Sequence, residues 1–326
     1  MLLDDDIIYT KATDALAHIS SPYLISRIAN ILLCILNTTY EPNSICVNLF
    51  LQLLPFLDNS GVLDLYISVT QSSSPMIKFH KMLLNSLFAD LFLLEFDGDC
   101  SPEKYANLCR IVRHASKNPI IGPSFRRDVF VDRLAVLSLS ENLFLRHNVW
   151  QAISTMTQED TAAYLRSVVP LALNIITEPF EEIHSYIVCA LDFLTKLLNL
   201  ENKNEAEYYN RQIQGTFTRL MVDFPDSTNL QCSLFRLIRS ALKWDTFAKY
   251  LFPQICPVLL EIASYEAHSA AKLNCLLLIN DIVEGGKSFQ LTILNNNPEF
   301  SDFKKNILKP YFKLLNASYG GRLHLL

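Results

Sequence analysis

Apolar residues recur at steps of three and four in segment after segment of this chain, a spacing that lines them up along one stripe of an α-helix. Alternating strand patterns are missing. The middle of the chain carries the pattern most clearly. Over residues 130–156, FVDRLAVLSLSENLFLRHNVWQAISTM, Leu145, Val149, Ile153 and Met156 follow one another at four, four and three, while Arg146, His147, Gln151 and Ser154 point elsewhere. Ser140 reads as an N-cap, so 138–142 forms the corner of a helix hairpin in which 132–139 packs back on 145–156.

The same unit repeats. Stripes run through Ile28, Leu32 and Ile35, through Ile45, Leu49 and Leu53, through Ile187, Leu191, Leu194 and Leu198, and through Leu230, Leu234, Leu237 and Ala241. A first helix ends near 14–18, and Ser21-Pro22 and Ser101-Pro102-Glu103 each restart the chain with a proline where its missing N–H costs nothing. Residues 76–96 read as one long apolar helix, and Gly285-Gly286 as a C-cap. With 14 prolines and 8 glycines, the chain suits helices broken at proline corners better than a sheet with many tight turns. Roughly one helix per twenty residues gives pairs of about forty, the period of HEAT and armadillo repeats. The expected fold is therefore all-α, an α-solenoid of stacked helix pairs, irregular because no residue signature recurs. A single helical-repeat domain over 1–326 is expected, with a sub-boundary at the polar run 201–207, ENKNEAE; a two-domain helical bundle is the alternative.

Charge narrows the function. The net charge is −5, and no block of Lys or Arg exceeds a pair such as Arg126-Arg127 or Lys304-Lys305. Nucleic-acid binding and recruitment to anionic membranes both need clustered cations, so neither is expected. MLLDDDIIYT lacks the positive start of a signal peptide, and no run of about 18 apolar residues follows, which predicts a cytoplasmic or nuclear protein. The eight cysteines form no C-x-x-C and read as reduced thiols, mostly buried.

Catalytic motifs fail on inspection. Gly286-Lys287-Ser288 matches the end of a phosphate-binding loop, but Asp281 stands where its first glycine belongs. Asp97-Gly98-Asp99 lacks the downstream ligands of a calcium loop, and none of the seven histidines has a second His or Cys at zinc-ligand spacing. No serine sits in G-x-S-x-G. The expectation is a non-enzymatic protein without cofactor or metal, whose partner is another protein. Arg146 and Trp150, four apart, could stack guanidinium on indole as a rigid contact patch.

Two stretches carry a resemblance. SPYLISRIANILLCIL and LLPFLDNSGVLDLYISV lie within 22–69; NLCRIV, FVDRL and SENLFLRHNVWQAI lie within 105–153. Both resemble the SAPS-domain family, regulatory subunits of type 2A-like serine/threonine phosphatases of the phosphatase-six class. Asn142, Phe144, Leu145 and His147 are similar to that family's Asn-Asn-Phe-Leu-His segment, with Arg146 inserted. The resemblance implies a non-catalytic subunit that holds a phosphatase catalytic subunit and directs it to substrates, with Asn142, Arg146, His147 and Trp150 as partner-binding residues. The residues by themselves equally fit a generic HEAT/armadillo adaptor, as in transport or coat-like assemblies.

Overall fold

The computed structural model describes residues 11, 21–38, 42–72, 76–200, 213 and 215–315. Every regular element among them is helical, as the apolar steps require. The helix end at 14–18 and the run 201–207 lie outside the described residues. By its own contacts the chain divides into two compact units, 1–172 with 184–200, and 173–183 with 201–326.

The first unit contains α1 (Pro22–Thr38), α2 (Ser44–Gln52), α3 (Ser60–Thr70), α4 (Ile77–Asn85), α5 (Phe88–Leu94), α6 (Pro102–Ala115), α7 (Asp128–Leu137) and α8 (Leu143–Met156). After α9 (Val169–Thr177), which spans the division, α10 (Ser185–Leu200) returns to this unit. Helices α1, α3, α6, α8 and α10 form a row, each packed on the next, while α2, α4, α5 and α7 make the layer behind it. The core between the layers is aromatic. Phe50 stacks on Tyr66 at 4.1 Å, and the contacts continue through Phe88 and Phe92 to Phe125 and Phe130. Rings offset or edge-on in this way add about 0.5–1.5 kcal/mol per pair beyond the area they bury.

Short polar side chains hold the corners. Asn43 accepts from the Cys46 N–H, Asn59 from Gly61 and Val62, and Ser101 from Lys104, each satisfying donors that a helix start leaves open. Asn59 also ties α3 to α1, accepting from Ser26 Oγ at 2.7 Å and donating to the Pro22 carbonyl at 2.8 Å.

The second unit contains α11 (Thr216–Asp223), α12 (Thr228–Leu242), α13 (Asp245–Ser264), α14 (Ala270–Gly285) and α15 (Ser288–Asn296), followed by a continuous helical run over 300–315 whose middle, Lys304–Leu308, is π-helical. Helices α12, α13 and α14 pack against one another. The buried Gln231 closes the α11–α12 corner by donating to the carbonyls of Leu220 and Phe224, both at 2.9 Å.

Two local expectations are corrected. The cap of α8 is Asn142, whose Oδ1 accepts from the Leu145 N–H at 2.9 Å; Ser140 instead accepts from the Asn142 N–H, one corner earlier. The long helix over 76–96 breaks at Leu87, which has φ 55°. The break has a packing reason: Phe79 and Leu83 are buried on α4, but the aromatics that complete the core are Phe88 and Phe92, which a continuous helix would turn away. The 20-residue α13 keeps Pro253 and Pro257 inside it. Being four apart, they deprive Lys249 and Pro253 of carbonyl partners on one side only, and these three residues are exposed, so water can take the carbonyls. Gly286 caps α14 as expected, with φ −72°, outside the left-handed region. Its glycine serves a close approach, since an added Cβ would sit 2.5 Å from the Ile282 oxygen.

Candidate functional site

Three helices of the row, α6, α8 and α10, bring their half-buried polar residues together along one side. On α6 these are Arg110, Arg113 and His114, and in the turn after it the exposed Lys117, whose N–H donates to the His114 carbonyl; the four stand at i, i+3, i+4 and i+7, the spacing of one helical face. On α8 they are His147, Gln151 and the buried Ser154; on α10, Cys189, Asp192 and the exposed Lys196. The apolar stripes Leu108–Val112, Leu145–Val149–Ile153 and Leu191–Leu194–Leu198 face the core and leave these positions outward.

Hydrogen bonds cross from helix to helix. Arg113 donates to Gln151 Oε1 and contacts His114 Nε2 at 3.3 Å; Arg110 donates to Asn107 Oδ1 at 3.3 Å. Asn107 is itself fixed, donating to the Leu57 carbonyl at 2.9 Å. Between α8 and α10, His147 Nδ1 lies 3.9 Å from Cys189 Sγ, and Lys196 donates to the Ser154 carbonyl at 2.6 Å.

Electrostatics follow from this crowding. Partial burial, with Arg110 nearby, lowers the Arg113 guanidinium from its ordinary pKa. Burial and then the charge of Arg113 lower both His114 and His147, so the two imidazoles are neutral at pH 7. Burial and Asp192 push the Cys189 thiol up to about 11, which leaves it a poor nucleophile. His147 and Cys189 are two donors of the kind zinc takes, and no third His, Cys, Asp or Glu joins them among the described residues. Chemically, the face can bind and orient an anion.

The residues singled out in the sequence separate. Asn142 is exposed and occupied as the cap of α8. His147 belongs to the cluster. Arg146 stacks on Tyr186 of α10, its Cζ 4.0 Å from the ring centroid, and not on Trp150. Trp150 has no exposed surface; its ring packs 5.9 Å from that of Phe193, and its Nε1 has no hydrogen-bond partner. The exposed Arg146–Trp150 patch is therefore corrected: residue 150 falls on the seam between α8 and α10, where an indole fills the space between helices. Sequence reasoning missed Arg110, Arg113 and Lys117 because it looked for adjacent cations. Helical spacing, applied to charge as it was to apolar residues, finds them.

No family model and no curated protein matches the sequence. Solved structures do. A designed armadillo-repeat protein in complex with the peptide (KR)4 superposes with a TM-score of 0.56 at 12% identity, covering 73% of this chain and 98% of that one. A second designed armadillo-repeat protein gives 0.51 at 11% identity over 76% and 98% of the two chains. An engineered protein solved by a structural genomics consortium gives 0.54 at 10% identity over 78% and 99%. The fold is thus an all-α solenoid of the armadillo type.

Proposed function

We propose that this chain is a non-catalytic scaffold that binds a protein partner through the α6–α8–α10 face, and that the partner is the catalytic subunit of a type 2A-like serine/threonine phosphatase. One observation carries the binding role: guanidinium and amide groups are held in fixed positions on a rigid row of helices, so little side-chain freedom remains to be lost on association. Arg is also the residue type in which interface binding energy concentrates. The designed neighbour solved with a peptide supports the use of this architecture for protein recognition. The phosphatase assignment rests on the SAPS-like stretches, which contribute α1, α3, α6, α7 and α8, four of them consecutive members of the row. A cytoplasmic location belongs to the same reading.

The test is capture. The purified chain is immobilised and offered purified catalytic subunits of the phosphatase 2A, 4 and 6 classes. At least one class should be retained. The Arg113→Ala, Arg146→Ala double variant should lose at least about tenfold in affinity, about 1.4 kcal/mol, with its helix content unchanged. Retention of none by the parent would sink the phosphatase assignment and leave the adaptor role.

A further inference from the structure

We infer that the face built on Arg110 and Arg113 of α6 and on Lys117 of the turn after it takes an acidic peptide segment, an extended stretch whose Asp or Glu carboxylates dock on those three cations. This names the partner chemistry of the face assigned above, and so rests on that reading.

The cations of the first unit fall into two kinds. Behind the row, every arginine of the α7 region has its acid: Arg126 pairs with Asp160 at 2.8 Å, Arg127 with Asp90 at 2.6 Å, and Arg133 with Asp97. On the α6 face, Arg110, Arg113 and Lys117 are in no ion pair among the described residues. Their partners are neutral: the Asn107 and Gln151 amides and the His114 ring. Asp192 is the acid beside Cys189, and it shares its helix face with Lys196 four residues on. Cations that crowd one another while half-buried are relieved by an anion, and a guanidinium already held by a neutral neighbour keeps N–H groups for a carboxylate.

Spacing selects the ligand. Residues 110 and 117 are seven apart, about 10 Å at the helical rise of 1.5 Å per residue, which the αR backbone of Ser116 carries past the end of α6. An extended chain rises about 3.3 Å per residue, so acids three positions apart span that distance. A nucleic acid would draw on a longer track of cations than a chain of net charge −5 offers.

The experiment measures fluorescence anisotropy of labelled peptides with the full chain. The probe is a twelve-residue peptide with Glu at every third position and Gly or Ser between. Its Gln counterpart, a phosphoserine counterpart, a Lys-Arg peptide and a single-stranded RNA oligonucleotide are the comparisons. The Glu peptide should bind at least tenfold more tightly than the Gln and Lys-Arg peptides, and weaken as salt is raised. R110Q/R113Q should lose at least tenfold. Because that pair borders the core, Lys117→Gln is the second variant; it is exposed, should keep the parent melting curve, and should lose about threefold. Equal binding of Glu and Gln peptides, binding by the phosphoserine peptide or the RNA alone, or an undiminished affinity in Lys117→Gln together with R110Q/R113Q would each overturn the inference. Phosphatase capture is scored separately: captured enzyme with no Glu-peptide binding removes this inference alone, and Glu-peptide binding without capture removes only the phosphatase assignment.

Discussion

Among the described residues, two hold left-handed backbone immediately before a helix: Leu87 ahead of α5, with φ 55°, and Gly215 ahead of α11, with φ 76°. The conformation costs an L-residue roughly 1–2 kcal/mol and glycine almost nothing. Leu87 is 65% exposed, so its side chain returns little of that cost. Replacing Leu87 by Gly should therefore raise stability, by up to about 1 kcal/mol once the added freedom of the unfolded chain is subtracted. Gly215→Ala should lower it by about 1–2 kcal/mol, although a Cβ there would meet nothing within 4 Å. Chemical denaturation of the two variants checks both signs; a stabilised Gly215→Ala would mean that this backbone relaxes elsewhere. Neither position was legible in the sequence. Leu87 follows the polar pair Asn85-Ser86, which a continuous helix accommodates as well, and only the need to bury Phe88 and Phe92 reveals the turn. Trp150 failed for the opposite reason: its i+4 relation to Arg146 is real, but nothing in a single helix says which of its sides a neighbour covers.

At the scale of elements, the steps of three and four located the helices well because burial sets them. Leu145, Val149, Ile153 and Met156 are all in the core, as are Ile187, Leu191, Leu194 and Leu198. Boundaries were less legible where polar side chains reach between elements. His80 of α4 is an example, its buried Nε2 donating to the Val69 carbonyl of α3 at 2.7 Å. Beside it, Asn118 donates to the Gln71 carbonyl at 3.3 Å, closing the end of α3 from a third segment. Burial lowers the His80 pKa despite that bond, and it lowers His114 and His147 as well. The unfolded chain, with histidine near 6.5, then binds more protons than the folded one over the window below that value. Stability from these three neutral rings is full above about pH 6.5 and declines as pH falls toward the lower folded values. The melting temperature should drop between pH 7 and pH 5, and His80→Gln, which keeps a donor but cannot titrate, should show a shallower drop. Parallel slopes for parent and variant would take His80 out of the account.

On the scale of the whole molecule, the row α1–α3–α6–α8–α10 makes the first unit close to one-dimensional, since each helix packs chiefly on the helices beside it. The stability of such an array is a sum of unit terms and nearest-neighbour terms, so a cavity should be felt locally and in proportion to how many neighbours share it. Leu32 on α1 and Ile153 on α8 are both fully buried, which makes them a matched pair at the end and in the interior of the described row. Truncating either to Ala should cost about 2–5 kcal/mol in lost transfer energy and residual cavity. The distribution should differ. Amide exchange in Leu32→Ala should accelerate in α1 and α3 and stay near the parent rate in α8 and α10. In Ile153→Ala, α6, α8 and α10 should all accelerate, because α8 packs on both flanking helices and its loosening opens two interfaces at once. The same variant should weaken partner capture without touching an exposed group, since the guanidinium of Arg113 is positioned by Gln151 of α8. Uniform acceleration across all five helices in both variants would show that the row opens as one cooperative body, and the local account of its stability would fall.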